Sequence, residues 1–328
     1  MPYAKIIATG AFLPEKLVTN FDLEKFVDTT DEWIRTRTGI RERRISAPDE
    51  PSSVLAANAL TDALDSIGME KGELDYIIVA TVTPDTMFPS TACWLQKHLH
   101  ITHIPAVDVS AACSGFMYGL SMARAYIESG MYKTIAVIGV EELTKITNWE
   151  DRSTCVLFGD GAGAAILQAT EDKEGGRILS NYLGADGRYG NLLMKEAEGT
   201  LHPATHETLD KGMHYITMEG QETFKHAVRV MKSASVEALK RAGLKEEDLD
   251  LVIPHQANIR IIDALANRLK VDYEKVQITI DRYANSSSAT IPIALNEANR
   301  DGKIKSGDKI LMVAFGGGLT WGSVVVRW

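Results

Sequence analysis

Apolar residues along the chain follow two alternating patterns. Short continuous runs, "YIIVATVT" (Tyr76 to Thr83), "TIAVIGVE" (Thr134 to Glu141), "LVIP" (Leu251 to Pro254) and "KILMVAF" (Lys309 to Phe315), predict strands covered on both faces. Between them, apolar positions recur at helical spacing, as at Ala57, Leu60, Leu64 and Ile67, and again at Phe224, Val228 and Met231. Strands alternating with helices over most of the chain predict an α/β fold.

The pattern also repeats. "VLAANALTDALDSIGMEKGELDYIIVATV" is answered by "SASVEALKRAGLKEEDLDLVIPHQAN": a helix, a glycine stop, a short acidic link, Leu-Asp and a strand, with Leu74 matching Leu249 at an offset of about 175 residues. Each copy continues with a helix ("STACWLQKHLHI", "NIRIIDALANRLKV"), a strand, and a small-residue turn that opens another helix. That turn is "AACSGF", with Cys113, in the first copy and "YANSSSATIP", with Asn285, in the second. Each copy closes on a strand, "YKTIAVIGVE" and "GDKILMVAFGGG". The expected organisation is two duplicated halves, residues 1–172 and 173–328, joined in "TEDKEGGR" (Thr170 to Arg177). "KEAEGTLHPATHETLDKGM" (Lys195 to Met213) is the expected long excursion.

Composition narrows the function classes. Of 328 residues, 45% are hydrophobic and 24% charged, the balance of a soluble globular protein. A chain this long buries roughly three quarters of its unfolded surface and needs no disulfide or metal staple. No apolar stretch reaches the ~20 residues of a membrane span, and the first residues read as a strand and turn rather than a secretory signal. Cys93, Cys113 and Cys155 are too widely and irregularly spaced for a disulfide framework or a zinc site, so a cytoplasmic protein without metal is expected. A net charge of −9 argues against nucleic acid as the main partner, and any acidic partner would need a local basic patch.

The turn at Cys113 carries the sharpest chemical expectation. A cysteine in the first turn of a helix faces unsatisfied backbone N–H groups, which favour the thiolate, and a strand-to-helix turn projects its side chain outward. Cys93 and Cys155 read instead as buried small side chains. His255 follows the "LVIP" strand, and ligands of open α/β sheets collect beyond the carboxyl ends of strands. Taken alone, His255 would be a core histidine and Asn285 a helix cap; their symmetry with Cys113 makes them site candidates. "FGDGAGAA" (Phe158 to Ala165) only superficially resembles a dinucleotide fingerprint and reads as tight turns with close backbone packing. The glycines of "AFGGGLTWGS" (Ala314 to Ser323) follow a buried strand and allow backbone N–H groups to approach a ligand, as in an oxyanion hole.

Together, "DVSAACSGF", "WEDRSTCVLFGDGAGAA", "IPHQANIRII", "YANSSSATIP", "AFGGGLTWGS" and "DEWIRTRTGIRERR" resemble the β-ketoacyl-[acyl-carrier-protein] synthase III family, over nearly the whole chain and in order. The resemblance implies a thiolase-like duplicated fold: two mixed five-stranded sheets in an α-β-α-β-α layering. It implies the initiating condensing enzyme of type II fatty-acid synthesis, a homodimer with no permanent cofactor. In that reading Cys113 takes the acyl group from acyl-coenzyme A, and the product forms with malonyl-acyl carrier protein. The Cys113 and Gly317 amides form the oxyanion hole, His255 and Asn285 hold the malonyl thioester carbonyl, and Phe315 packs beside the site. Trp33 and Arg152 match the pair that sandwiches the coenzyme A adenine, and Asn258 matches a pantetheine contact. Lys225, Arg260 and Arg268 form a patch for the acidic carrier protein, while Met87 and Phe88 gate the acyl pocket. The family's usual Gly-Asn-Thr is Ala284-Asn285-Ser286 here, and the segment after Gly190 is longer; both bear on the acyl pocket. Alternatives that stay open are a relative using longer or branched acyl groups, a thioester hydrolase, and a non-catalytic carrier-protein-binding homologue.

Overall fold

The computed structural model describes residues 1–328. Strand β1 (Tyr3–Phe12) leads into a two-stranded ribbon, β2 (Lys16–Thr19) with β3 (Glu42–Ile45), which flanks the helices α1 (Asn20–Leu23) and α2 (Asp31–Thr38). The first half then runs through α3 (Ser52–Asp65), β4 (Tyr76–Ala80), α4 (Thr91–Leu99), β5 (Ala106–Val109), α5 (Gly115–Glu128), β6 (Thr134–Glu142), α6 (Arg152–Cys155) and β7 (Asp160–Thr170). The second half begins with β8 (Arg177–Ala185), and the excursion follows as β9 (Leu193–Lys195), α7 (His206–Asp210) and β10 (Ile216–Met218). Next come α8 (Gly220–Ala242), β11 (Leu251–Pro254), α9 (Ile259–Leu269), α10 (Ile280–Tyr283), α11 (Thr290–Arg300), β12 (Lys309–Gly316) and β13 (Thr320–Arg327).

The first sheet is ordered β1-β7-β6-β4-β5, with β4 parallel to β5 and β6 and the other pairs antiparallel. The second, β8-β13-β12-β11, repeats that order and the same directions. The repeat holds residue by residue: Tyr76 and Leu251, Gly115 and Thr290, and Thr134 and Lys309 each open equivalent elements and lie 175 residues apart. One strand departs from the expectation of five in both sheets. Where the second sheet would carry its fifth, only a single bridge forms, Val252 with Val276. The Gln256 side chain takes the backbone groups that would extend the ladder, donating to the Gln277 carbonyl and accepting from the Thr279 and Ile280 amides.

Five layers result. α3 and α4 cover the outer face of the first sheet, α8 and α9 that of the second, and α5 with α11 fill the space between. This middle layer is almost purely apolar, with Phe116, Leu120, Ile127, Ile291 and Leu295 fully or nearly fully buried. Each such side chain contributes roughly 1.5–3 kcal/mol by leaving water. The glycine-rich "FGDGAGAA" is not a turn but the start of β7. Close packing is what its glycines serve: a Cβ on Gly163 would stand 2.6 Å from the Ile293 nitrogen, so α11 lies directly on that strand. Cys155 is buried, but Cys93 is exposed, because α4 turns Ala92 and Leu95 inward and leaves Cys93 on its outer face.

Candidate active site

Both helices of the middle layer are entered through a 3-10 turn, Ala112–Ser114 before α5 and Ser287–Ala289 before α11. Each turn opens on a residue in the left-handed region, Ala112 at φ 45° and Ser287 at φ 46°. The repeat therefore pairs Cys113 with Ser288, and Asn285 lies three residues upstream of that twin. The two turns pack on each other and reach across to the opposite sheets. Ser288 Oγ donates to the Ala80 carbonyl at the end of β4. Cys113 abuts the end of β12, where a Cβ on Gly316 would stand 2.5 Å from the Cys113 nitrogen.

A cavity of about 980 Å³ opens at this junction. Cys113, His255, Asn285, Phe315 and Gly317 line its inner end, and Trp33, Asn258, Lys225 and Arg260 also line it. His255 stands directly after β11 because its amide continues the ladder to the Val313 carbonyl at 2.8 Å. Asn285 is held by a bridge to Phe158, so a first-half loop positions a second-half side chain.

Hydrogen bonding limits what each group offers. Asn285 Oδ1 accepts from the Ser287 amide at 2.8 Å, which leaves the Nδ2 amide as its donor toward the cavity. The cap role expected of an isolated asparagine thus coexists with a free donor. Thr290 Oγ1 lies 2.7 Å from His255 Nδ1 and 3.0 Å from the Ser287 carbonyl. Thr290 Oγ1 donates its proton to the Ser287 carbonyl and so accepts from His255 Nδ1–H; a turn of that hydroxyl toward Nδ1 moves the ring proton to Nε2 and makes the imidazole a second donor to the cavity. Asn258 caps α9, its Oδ1 accepting from the Arg260 amide at 2.9 Å, so its amide nitrogen remains for a ligand.

Electrostatics overturn one expectation. The helix mouth favours a Cys113 thiolate, yet burial pushes the thiol up to about 12; a hydrogen bond with Ser287 opposes this and the nearby Glu141 adds to it. Desolvation outweighs the few amides of one helical turn, so the resting group is a neutral thiol. Burial also lowers the His255 imidazole to about 3, so the ring is neutral as well.

Other expected residues lie apart from this centre. Arg152 is exposed, donates to the Asp28 carbonyl and stacks on Trp33 with 4.9 Å between its guanidinium and the ring centroid. That spacing is too close for a purine to enter between them, so adenine stacking requires Arg152 to swing aside. Arg37 lies on the same ring at 5.1 Å and lines the cavity, a residue the sequence reading passed over. Lys225 is paired with Glu222 at 2.7 Å, which removes part of its charge from the mouth. Arg268, in the last turn of α9, is exposed and outside the cavity lining. Met87 and Phe88 are 73% and 83% exposed and do not line it either. The excursion does contribute: Leu193, Met194, Lys195, Ile216 and Met218 bring the β9–β10 hairpin over the cavity. The short apolar runs in "NLLMK" and "YITM" were its only signal. No group of three or more His, Cys, Asp or Glu side chains is arranged to hold a metal ion, and no helix is long and apolar enough to cross a membrane.

The five-layer duplicated architecture is that of the thiolase-like condensing enzymes. Sequence models described as 3-Oxoacyl-[acyl-carrier-protein (ACP)] synthase III and as its C terminal match residues 107–187 and 239–328. A beta-ketoacyl-[acyl-carrier-protein] synthase III of Caldanaerobacter subterraneus subsp. tengcongensis is 56% identical over 325 residues, 99% of this chain and 98% of that one. Among solved structures, the 3-oxoacyl-[acyl-carrier-protein] synthase III of Aquifex aeolicus VF5 is 50% identical with a TM-score of 0.91, covering 99% of this chain and 100% of its own. The Thermus thermophilus enzyme is 44% identical with a TM-score of 0.90, covering 99% of both chains. The chain belongs to the β-ketoacyl-[acyl-carrier-protein] synthase III family, the condensing enzymes that initiate fatty-acid synthesis.

Proposed function

We propose that this cavity carries out an acyl transfer followed by a decarboxylative condensation, with acyl-coenzyme A and malonyl-acyl carrier protein as substrates. Cys113 attacks the acyl-coenzyme A carbonyl and keeps the acyl group as a thioester, while coenzyme A leaves. The Cys113 and Gly317 amides face the oxyanion of that step. The malonyl thioester then enters, and as carbon dioxide departs, the negative charge gathers on the thioester oxygen. With the Thr290 hydroxyl turned to Nδ1, His255 Nε2–H and Asn285 Nδ2–H donate to that oxygen, each worth about 10²–10³ in rate. The enolate carbon attacks the Cys113 thioester, giving 3-oxoacyl-acyl carrier protein and a free thiol. Phe315 supplies an apolar wall that favours loss of the uncharged carbon dioxide.

The observation that carries this reading is that a nucleophile from one half and an imidazole and an amide from the other line one cavity. A donor pair aimed at an enolate has no need of a charged imidazole, and burial keeps His255 neutral. Trp33, Arg152 and Asn258 take the coenzyme A portion; Lys225 and Arg260 meet the carrier protein at the mouth, with Arg268 at the rim of that patch. Met87 and Phe88, so exposed on one chain, are covered in a homodimer and there limit acyl length. Three free cysteines suit a reducing cytoplasm. The test is purified enzyme with malonyl-acyl carrier protein and a panel of acyl-coenzyme A primers. A 3-oxoacyl product with at least one primer is expected; no such product with any primer, or free acid as the main product, contradicts the proposal.

A further inference from the structure

Glu141 is a buried acid that the reaction above does not use. It is the next-to-last residue of the wholly buried strand β6 and has no solvent-exposed surface. No cation contacts it. Its Oε2 accepts from the Val82 amide at 3.1 Å and from the Thr83 and Thr81 hydroxyls at 2.7 and 3.3 Å. Its Oε1 accepts from the Ser287 hydroxyl at 3.0 Å. Ser287 in turn sits beside the nucleophile: its turn packs on the Ala112–Ser114 turn, and Ser287 and Cys113 line the same cavity. A buried carboxylate and the hydroxyl bonded to it therefore lead to the turn of the nucleophilic sulfur, crossing between the two halves of the fold.

We propose that Glu141 is the proton acceptor for Cys113, acting through Ser287. This deepens the condensing-enzyme reading and rests on it. As Sγ bonds to the acyl carbonyl carbon, the thiol proton passes to Ser287 Oγ and the Ser287 proton passes to Glu141 Oε1. The carbon–sulfur bond to coenzyme A breaks, and coenzyme A leaves as a thiolate that takes its proton from water. Glu141 stays protonated while Cys113 is acylated. When the enolate displaces Cys113 as a thiolate, the proton returns from Glu141 through Ser287, and the thiol and carboxylate are restored.

The relative basicities favour this path. A thiol pushed up to about 12 does not shed its proton unaided at neutral pH. His255, lowered to about 3, is too weak a base to take it. Burial raises the Glu141 carboxyl above its ordinary range, with the Thr83, Val82 and Ser287 hydrogen bonds opposing, so its carboxylate is a stronger base than one in water. The proton transfer leaves a neutral acid in the buried strand end, where the desolvated charge was costly. Glu141 touches no substrate and is a positioning and proton-holding residue.

The test is the single-turnover acylation rate, read by intact mass, in Glu141→Gln, Ser287→Ala and the double variant. Malonyl thioester decarboxylation is measured in parallel. General-base assistance is worth about 10²–10⁴, so each single variant is expected to acylate about 100-fold or more slowly. The double variant should be no slower than either, since both break one chain. Decarboxylation, which depends on His255 and Asn285, should stay within about twofold. Wild-type acylation in Glu141→Gln overturns the relay, as does a loss of decarboxylation equal to the loss of acylation. A wild-type enzyme that forms no acyl-Cys113 overturns the reading on which the relay rests.

Discussion

Replacing Gly316 by alanine tests how tightly the two halves clasp the nucleophile. The added Cβ would lie 2.5 Å from the Cys113 nitrogen, 3.2 Å from its Cα and 3.0 Å from the Ala112 Cβ. Carbon atoms rest at about 3.5–4.0 Å, so about 1 Å of separation must be found. None of the three obstacles is the free end of a side chain, and no rotamer change relieves the clash. Either the end of β12 or the Ala112–Ser114 turn must move. Overpacking of this kind costs about 1–3 kcal/mol, and a 1 Å displacement of a reacting group costs about 100-fold in rate. Gly316→Ala is therefore expected to unfold at lower temperature and to acylate about 100-fold more slowly, by thermal melts and intact-mass time courses. Gly187→Ala is the control, because nothing lies within 4 Å of its Cβ, and it should match wild type in both. A Gly316→Ala protein with wild-type rate and melting temperature would refute the close contact between β12 and the nucleophile turn.

Three further outcomes follow from the same geometry. His255→Ala and Asn285→Ala should still form the acyl-enzyme yet decarboxylate the malonyl thioester about 10²–10³-fold more slowly, measured by carbon dioxide release; normal release in either would remove that residue from the enolate site. Burial lowers His255 from 6.5 to about 3, so the folded chain binds fewer protons there than the unfolded one, and the stability of the neutral ring is full above pH 6.5. That stability drains away as pH falls toward 3, at no more than about 1.4 kcal/mol per pH unit; denaturant melts of His255→Gln should lose stability less steeply across this window, and parallel curves would contradict the assignment. Ala284 stands at φ 54°, ψ −156°, a region that suits only glycine and costs another residue about 1–3 kcal/mol, so Ala284→Gly should raise the melting temperature despite glycine's extra chain entropy, and an unchanged or lower value would show the strain is absent.

Much of the architecture was legible because duplication writes itself twice. The glycine stop, Leu-Asp pair and apolar strand recur 175 residues apart, and the structure keeps that spacing from β4 and β11 through β6 and β12. The turn at Cys113 was readable from its small residues and its place between a strand and a helix. What the pattern could not carry was information held by side chains from elsewhere. Gln256 looks like any residue after a strand, yet its amide cuts the fifth strand of the second sheet to a bridge. Glycines in "FGDGAGAA" signal turns in isolation, and only the approach of α11 explains them in a strand. Periodicity put Arg268 on a helix but said nothing of which end faces the cavity. Burial sets the protonation of Cys113 and His255, and burial is a property of the assembled halves. Glu141 was hidden for the same reason: "GVEE" reads as the polar end of a strand until Ser287 from the other half closes on it.

The most direct test of the account is where the acyl group goes. Wild-type protein exposed to an acyl-coenzyme A primer, then measured by intact mass and mapped by peptide, should gain one acyl group, on Cys113, and lose it on addition of malonyl-acyl carrier protein. An acyl group on Cys93 or Cys155, or none on any cysteine, would contradict the central claim.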